Sequence, residues 1–179
     1  MKPSKPETME TLTVNVYPFD ELSEEAKDNA REWMRSCLDT NDCFGGTIED
    51  AKQASLTIEG WDIGRGQVCE LRFNDSAKAT ADLILANHGE TCDTYSAAKD
   101  WKDKADALAL RINAGDIDEQ DAQDEADENK AEFLKELSEC YLTMLTDEYE
   151  AAQEDEYIDE AIRINEYLFT EKGKRTFTI

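Results

Sequence analysis

Long apolar runs are missing from this chain, and no segment approaches the roughly 20 consecutive apolar residues that span a bilayer. The positively charged start, Met1-Lys-Pro-Ser-Lys-Pro, does not lead into the apolar stretch of a signal peptide. A soluble, unexported chain with no membrane partner is the expectation. Cationic residues are scarce: 19 Lys+Arg stand against 43 Asp+Glu in 179 residues, for a net charge of -24. That balance excludes unaided binding to bare nucleic acid or to an anionic membrane. CxxC pairs are absent, and the five cysteines Cys37, Cys43, Cys69, Cys92 and Cys140 are an odd set lying mostly among helix-like residues, which fits reduced thiols in a cytosol.

The shortage of histidine narrows the chemistry further. His88, the single one, follows Leu83-Ile-Leu-Ala-Asn and precedes Gly89, where it reads as a helix C-terminal cap. The local pairings Cys37-x5-Cys43 and His88-x3-Cys92 fall short of a four-ligand zinc site. Asp116-x-Asp118-x-Gln120 starts like a calcium loop, but the sixth position is Asp121 instead of Gly and the twelfth is Asp127 instead of Glu. Carboxylate neighbours such as Glu154-Asp155 lack the inward Glu-x-x-His pair of a di-metal site. Gly64-Arg-Gly lacks the rest of a phosphate-binding fingerprint, no nucleophile elbow is present, and a Cys/His dyad would require His88 to meet a cysteine in space. No enzyme, no metal and no cofactor is expected.

What is present is apolar surface sufficient for folding: 40% hydrophobic residues, with three Trp, six Tyr and six Phe. Leu12, Val14 and Val16 alternate with Thr11, Thr13 and Asn15 as in a half-buried strand ended by Pro18. Ser23 is placed to cap a helix over 24–38 with Ala26, Ala30, Trp33 and Cys37 as its stripe. A second helix runs from Thr47 to about Leu56, and Gly60, Gly64 and Gly66 then interrupt regular structure. Gln67-Val-Cys-Glu-Leu-Arg-Phe reads as a strand. Further helices are expected over 76–87, 96–113, 117–146 and 147–165, the one over 96–113 with Ala97, Trp101, Ala105, Leu108 and Ile112 on its apolar side. Tyr167-Leu-Phe-Thr and Arg175-Thr-Phe-Thr-Ile flank a turn with Gly173, a hairpin pattern. The fold class is α+β: one domain, 1–179, with a flexible 1–10. Its small, mostly antiparallel sheet joins the N-terminal strand, the middle strand and the C-terminal hairpin under a cover of helices, and the weakly apolar 116–160 segment forms a protruding or partly loose acidic helical hairpin.

That segment carries the functional expectation. Residues 116–160 hold 19 Asp+Glu against Lys130 and Lys135, so 17 of the chain's 24 net negative charges lie there. As two antiparallel helices of about 22 residues it would be roughly 33 Å long, with one net charge about every 2 Å, near the axial charge spacing of about 1.7 Å in duplex DNA. Such a surface can occupy a basic groove built for phosphates; the plainer alternative is a solvated face. The candidate contact residues are Asp116, Asp118, Glu119, Asp121, Asp124, Glu125, Asp127, Glu128, Glu132, Glu136, Glu139, Asp147, Glu148, Glu150, Glu154, Asp155 and Glu156.

Two terminal stretches carry a resemblance. Val16-Tyr-Pro-Phe-Asp-Glu-Leu-Ser-Glu-Glu-Ala-Lys-Asp-Asn-Ala-Arg-Glu-Trp resembles the N-terminal signature of a family of small proteins of tailed bacteriophages and prophages, some labelled antitoxin-like. Ile158-Asp-Glu-Ala-Ile-Arg-Ile-Asn-Glu-Tyr-Leu-Phe-Thr-Glu-Lys-Gly-Lys-Arg resembles its closing segment, and Ile48-Glu-Asp-Ala-Lys its second helix. Between Gly60 and about Glu156 the chain departs from that pattern with acidic, alanine-rich sequence. The resemblance implies a phage setting and the cytoplasm of an infected bacterium. With the charge, it leads to the expectation of a monomeric or homodimeric inhibitor of a CRISPR effector or restriction enzyme, directed at a basic nucleic-acid-binding host protein. An antitoxin-like or assembly partner of a basic protein is the alternative.

Overall fold

The computed structural model describes residues 13–38 and 43–176. The fold is α+β, with helices α1 (Glu24–Cys37), α2 (Gly45–Gln53), α3 (Ala77–Asn87), α4 (Asp93–Ala114), α5 (Glu119–Gln153) and α6 (Asp155–Ile164) among the described residues. The strands are β1 (Tyr17–Pro18), β2 (Leu56–Asp62), β3 (Val68–Phe73) and β4 (Leu168–Phe169). They form two separate two-stranded antiparallel sheets, β1 with β4 and β2 with β3, so the middle strand does not join the terminal ones in the single expected sheet. The chain gathers into two compact units, one formed by 1–39 with 152–179 and the other by 40–151.

In the terminal unit, the Ser23 side chain accepts the amide hydrogen of Ala26 and so starts α1, with Glu24 and Glu25 in the first turn where the helix dipole favours anions. The buried stripe is Ala26, Ala30 and Met34, with Trp33 packed beside it, while Cys37 is exposed, because the stripe recurs every fourth residue and reaches Leu38 next. Phe19, Leu22, Ile158, Ile162 and Phe169 complete this core. Trp33 meets Tyr167 and Phe169 edge-on at 5.2 and 5.7 Å between ring centroids. The expected strand from residue 11 is reduced to Tyr17–Pro18; Val14 and Val16 are exposed, and Thr11 and Leu12 lie outside the described residues. The chain reverses after β4 through Gly173, whose φ of 74° suits glycine and whose Cα faces the Ala26 carbonyl so closely that no Cβ fits.

In the central unit, β2 corrects the sequence reading, which ended a helix near Leu56 and took Gly60 as a breaker. Leu56–Asp62 is instead a strand paired with β3, and Gly60 sits at a register irregularity after Ile58, where the ladder tolerates a residue without a side chain. The long α5 is continuous through residue 147, where two helices were expected to meet; the break falls at Glu154. Phe133, Leu137, Tyr141 and Leu145 are fully buried against Phe44, Leu56, Ile84 and their neighbours, so α5 is a core helix and no loose appendage. Its stripe reads as weak from sequence because it is narrow, yet it repeats every fourth residue and carries Tyr141, the largest fully buried side chain among the described residues.

Candidate basic-partner interface

A helical hairpin does exist, one element earlier than expected: α4 pairs with α5, not one half of 116–160 with the other. Gly115, at φ 76°, ends α4 in the left-handed conformation that places the Asp116 amide on the Arg111 carbonyl. The Asp118 side chain then accepts the Asp121 amide at 2.9 Å and caps α5. Trp101 stacks on Phe133 at 5.4 Å, Lys104 pairs with Glu132 at 2.6 Å and Arg111 with Glu125 at 2.7 Å. The hydrogen bond to Glu132 raises the Lys104 pKa.

Asp121, Glu125, Glu128, Glu132, Glu136 and Glu139 recur every three or four residues and share one face of α5. The density of charge is uneven along it. Residues 116–128 hold eight carboxylates and no Lys or Arg. The ten helical residues 119–128 rise about 15 Å and carry six of them, one per about 2.5 Å, against about 1.7 Å in duplex DNA. Over 129–153 six carboxylates and two lysines leave four net charges in about 37 Å. The spacing is therefore wider than the expected 2 Å even at the hairpin tip and wider still beyond it, because one continuous core helix spreads the charges along its length.

The candidate residues divide by what they touch. Asp116, Glu119, Asp121 and Glu128 are exposed, and Asp124 and Asp127 accept from the neighbouring Gln120 and Gln123 side-chain amides. Glu148 serves the fold: one of its oxygens accepts the Thr47 amide at 3.1 Å at the start of α2, whose Phe44 cap offers no side-chain acceptor. Asp147 and Glu150 are exposed on the last turns of α5. Glu154, Asp155 and Glu156 belong to the terminal unit, where Asp155 pairs with Arg35 and lies 3.8 Å from Arg31. Arg31 also donates to both oxygens of Asp159 at 2.7 and 2.8 Å, a two-pronged pair that raises the arginine pKa against the opposing effect of burial.

Sequence reasoning missed Asp93 and Asp100. One helical heptad apart on α4, they face Glu136 and Glu139 of α5 across a groove of about 350 Å³ that also exposes Cys140. Burial, followed by the nearby Asp93, Glu136 and Glu139 carboxylates, pushes the Cys140 thiol up to about 11. Their i, i+7 spacing was the available signal, hidden among four cations of the same helix: Lys99, Lys102, Lys104 and Arg111.

His88 does stand at the C-cap of α3, but its ring serves another purpose. Nδ1 lies 2.7 Å from the Thr94 hydroxyl and Nε2 lies 3.6 Å from Asp50, which accepts the Tyr141 hydroxyl at 2.8 Å. Burial, then the Asp50 hydrogen bond, raises the Tyr141 pKa. These contacts tie α2, α3, α4 and α5 together. Among the described residues, no group of three or more His, Cys, Asp or Glu is arranged to hold a metal ion, and no helix is long and apolar enough to cross a membrane. No family model, curated protein or solved structure matches this chain.

Proposed function

We propose that this chain is a phage-encoded protein inhibitor that acts without catalysis in the bacterial cytoplasm. It occupies a basic nucleic-acid-binding surface of a host defence complex, a CRISPR effector or restriction enzyme, with the carboxylates of residues 116–128. The observation that carries this reading is that these eight carboxylates have Arg111 as their one cationic partner among the described residues, with six of them on α5 at about one per 2.5 Å of helix. The resemblance of both ends to tailed-phage proteins supports the setting. A solubilising face has no need of so dense a cluster in one place.

A second reading, an antitoxin-like or assembly partner that covers one basic protein without imitating nucleic acid, is favoured by one feature. Leu110 is 70% exposed and Ile112 51% exposed on the last two turns of α4, beside the acidic tip. An interface anchored on those side chains would respond little to salt.

Capture of binding proteins from nuclease-treated bacterial lysate, with elution by duplex DNA or by rising salt, tests the two. Groove occupancy predicts release of a nucleic-acid-binding protein by both eluents. Retention of that protein under saturating duplex would contradict it, and retention at high salt as well would favour the apolar anchor.

A further inference from the structure

Away from the hairpin tip, the central unit carries a groove of about 450 Å³ lined by Phe44, Trp61, Ile63, Tyr149, Asp62 and Glu150. This volume lies within the range of about 300–1,000 Å³ of small-ligand sites. Its wall is aromatic. Trp61, at the end of β2, packs edge-on to the buried Phe44 at 5.3 Å and 77°, which fixes the indole. Tyr149 comes from α5, and Trp61 and Tyr149 are both partly open to solvent. The carboxylates differ in their duties. Asp62 accepts the amides of Gly64 and Gly66 at 2.8 and 2.9 Å, which holds the β2–β3 turn as one rim. Glu150 is exposed and makes no ion pair among the described residues.

We propose that this groove is a binding site for an arginine side chain presented by a basic protein, with the guanidinium against the Trp61 and Tyr149 rings and Glu150 as its anion. The proposal rests on the basic-partner reading above and adds a second contact to it. An aromatic wall with a carboxylate rim attracts a cation by ring quadrupole and by charge together. A guanidinium suits both, since its planar, weakly hydrated face stacks on rings while its edge donates to a carboxylate. An apolar side chain would leave Asp62 and Glu150 beside hydrocarbon, and an anion would meet two like charges.

The test uses the whole chain and the peptide acetyl-Gly-Arg-Gly-amide, beside an otherwise identical peptide with neutral citrulline in place of arginine. The indole N–H signal of Trp61, assigned by its loss in Trp61→Phe, is monitored by NMR. The arginine peptide is expected to shift that signal saturably, the citrulline peptide to leave it in place, and Glu150→Gln to weaken arginine binding about fivefold or more. Tyr149→Ala should weaken it too, with the unchanged Trp33 and Trp101 signals reporting that the fold persists. Equal shifts from both peptides, no shift from arginine, or full binding by Glu150→Gln would overturn the assignment. The basic-partner reading has its own test in lysate capture, so an absent peptide response with capture intact removes this groove alone.

Discussion

Two acidic stretches of similar composition do different work in this molecule. Residues 154–160 contain five carboxylates and residues 116–128 eight, neither with an internal Lys or Arg. In the first, Asp155 and Asp159 lie one helical turn apart on α6 and meet Arg31 and Arg35, one turn apart on α1. Arg163 adds contacts to Asp159 at 3.9 Å and to Asp20 at 2.9 Å. In the second, Arg111 on Glu125 is the one cationic partner among the described residues. Charge density alone therefore does not mark an interface; what distinguishes the tip is that all but Glu125 of its charges have no cationic partner among the described residues. A carboxylate that has met its arginine is committed to stability, while one facing water stays available to a partner's cations.

The sharpest way to break this contrast is to remove a carboxylate from the paired set. Asp159→Ala leaves Arg31, whose side chain is 13% exposed, without its main partner. Asp28 at 2.9 Å and Asp155 at 3.8 Å still offset the charge, so a cost of about 2 kcal/mol is expected, seen in a thermal melt as a Tm lowered by about 4–8 °C. Within the central unit, Tyr141→Phe removes the hydroxyl that Asp50 accepts, and denaturant titration should record a loss of about 1–2 kcal/mol.

Alkali separates the two units by a different route. Burial pushes the Cys69 and Cys140 thiols of the central unit up to about 11 from an ordinary 9.0, and it raises Tyr141 as well. The folded state therefore favours the protonated thiols; their contribution is fully present below pH 9 and is lost as the pH rises to 11. Stability measured across that window should fall, and alkylation at neutral pH should label exposed Cys37 and Cys92 well before Cys69 and Cys140. The smallest effect on stability belongs to the tip. Replacing Asp121, Asp124, Asp127 and Glu128 by Lys, with Glu125 left to Arg111, should change stability by no more than ~0.5 kcal/mol or raise it slightly as like-charge repulsion is relieved. A large loss would mean that these carboxylates support the hairpin.

Much of the architecture was legible in the chain. Ser23 announced the start of α1 and Gly173 the last reversal, because caps and positive φ are local matters. The alternation of exposed Val68 with buried Cys69 and Leu71 likewise located β3. What escaped was non-local. The pairing of β2 with β3, the burial of α5 and the exclusion of β3 from the terminal sheet depend on which elements meet, which no short window contains. The same limit blurred the candidate site. The acidic run was visible, but only the fold divides it into the Arg31-bound Asp155, the α2-capping Glu148 and the unpaired tip, or brings Asp93 and Asp100 opposite Glu136 and Glu139.

Whether the unpaired tip, and not acidity in general, makes the contact is tested most directly by one side-by-side capture from bacterial lysate at low salt. The native chain is compared with the variant in which Asp121, Asp124, Asp127 and Glu128 are replaced by Lys. Proteins held by the native chain are expected to be absent from the variant, although both melt at nearly the same temperature. The same proteins held in the same yield by the variant would contradict the tip's role and reduce it to a solvated face.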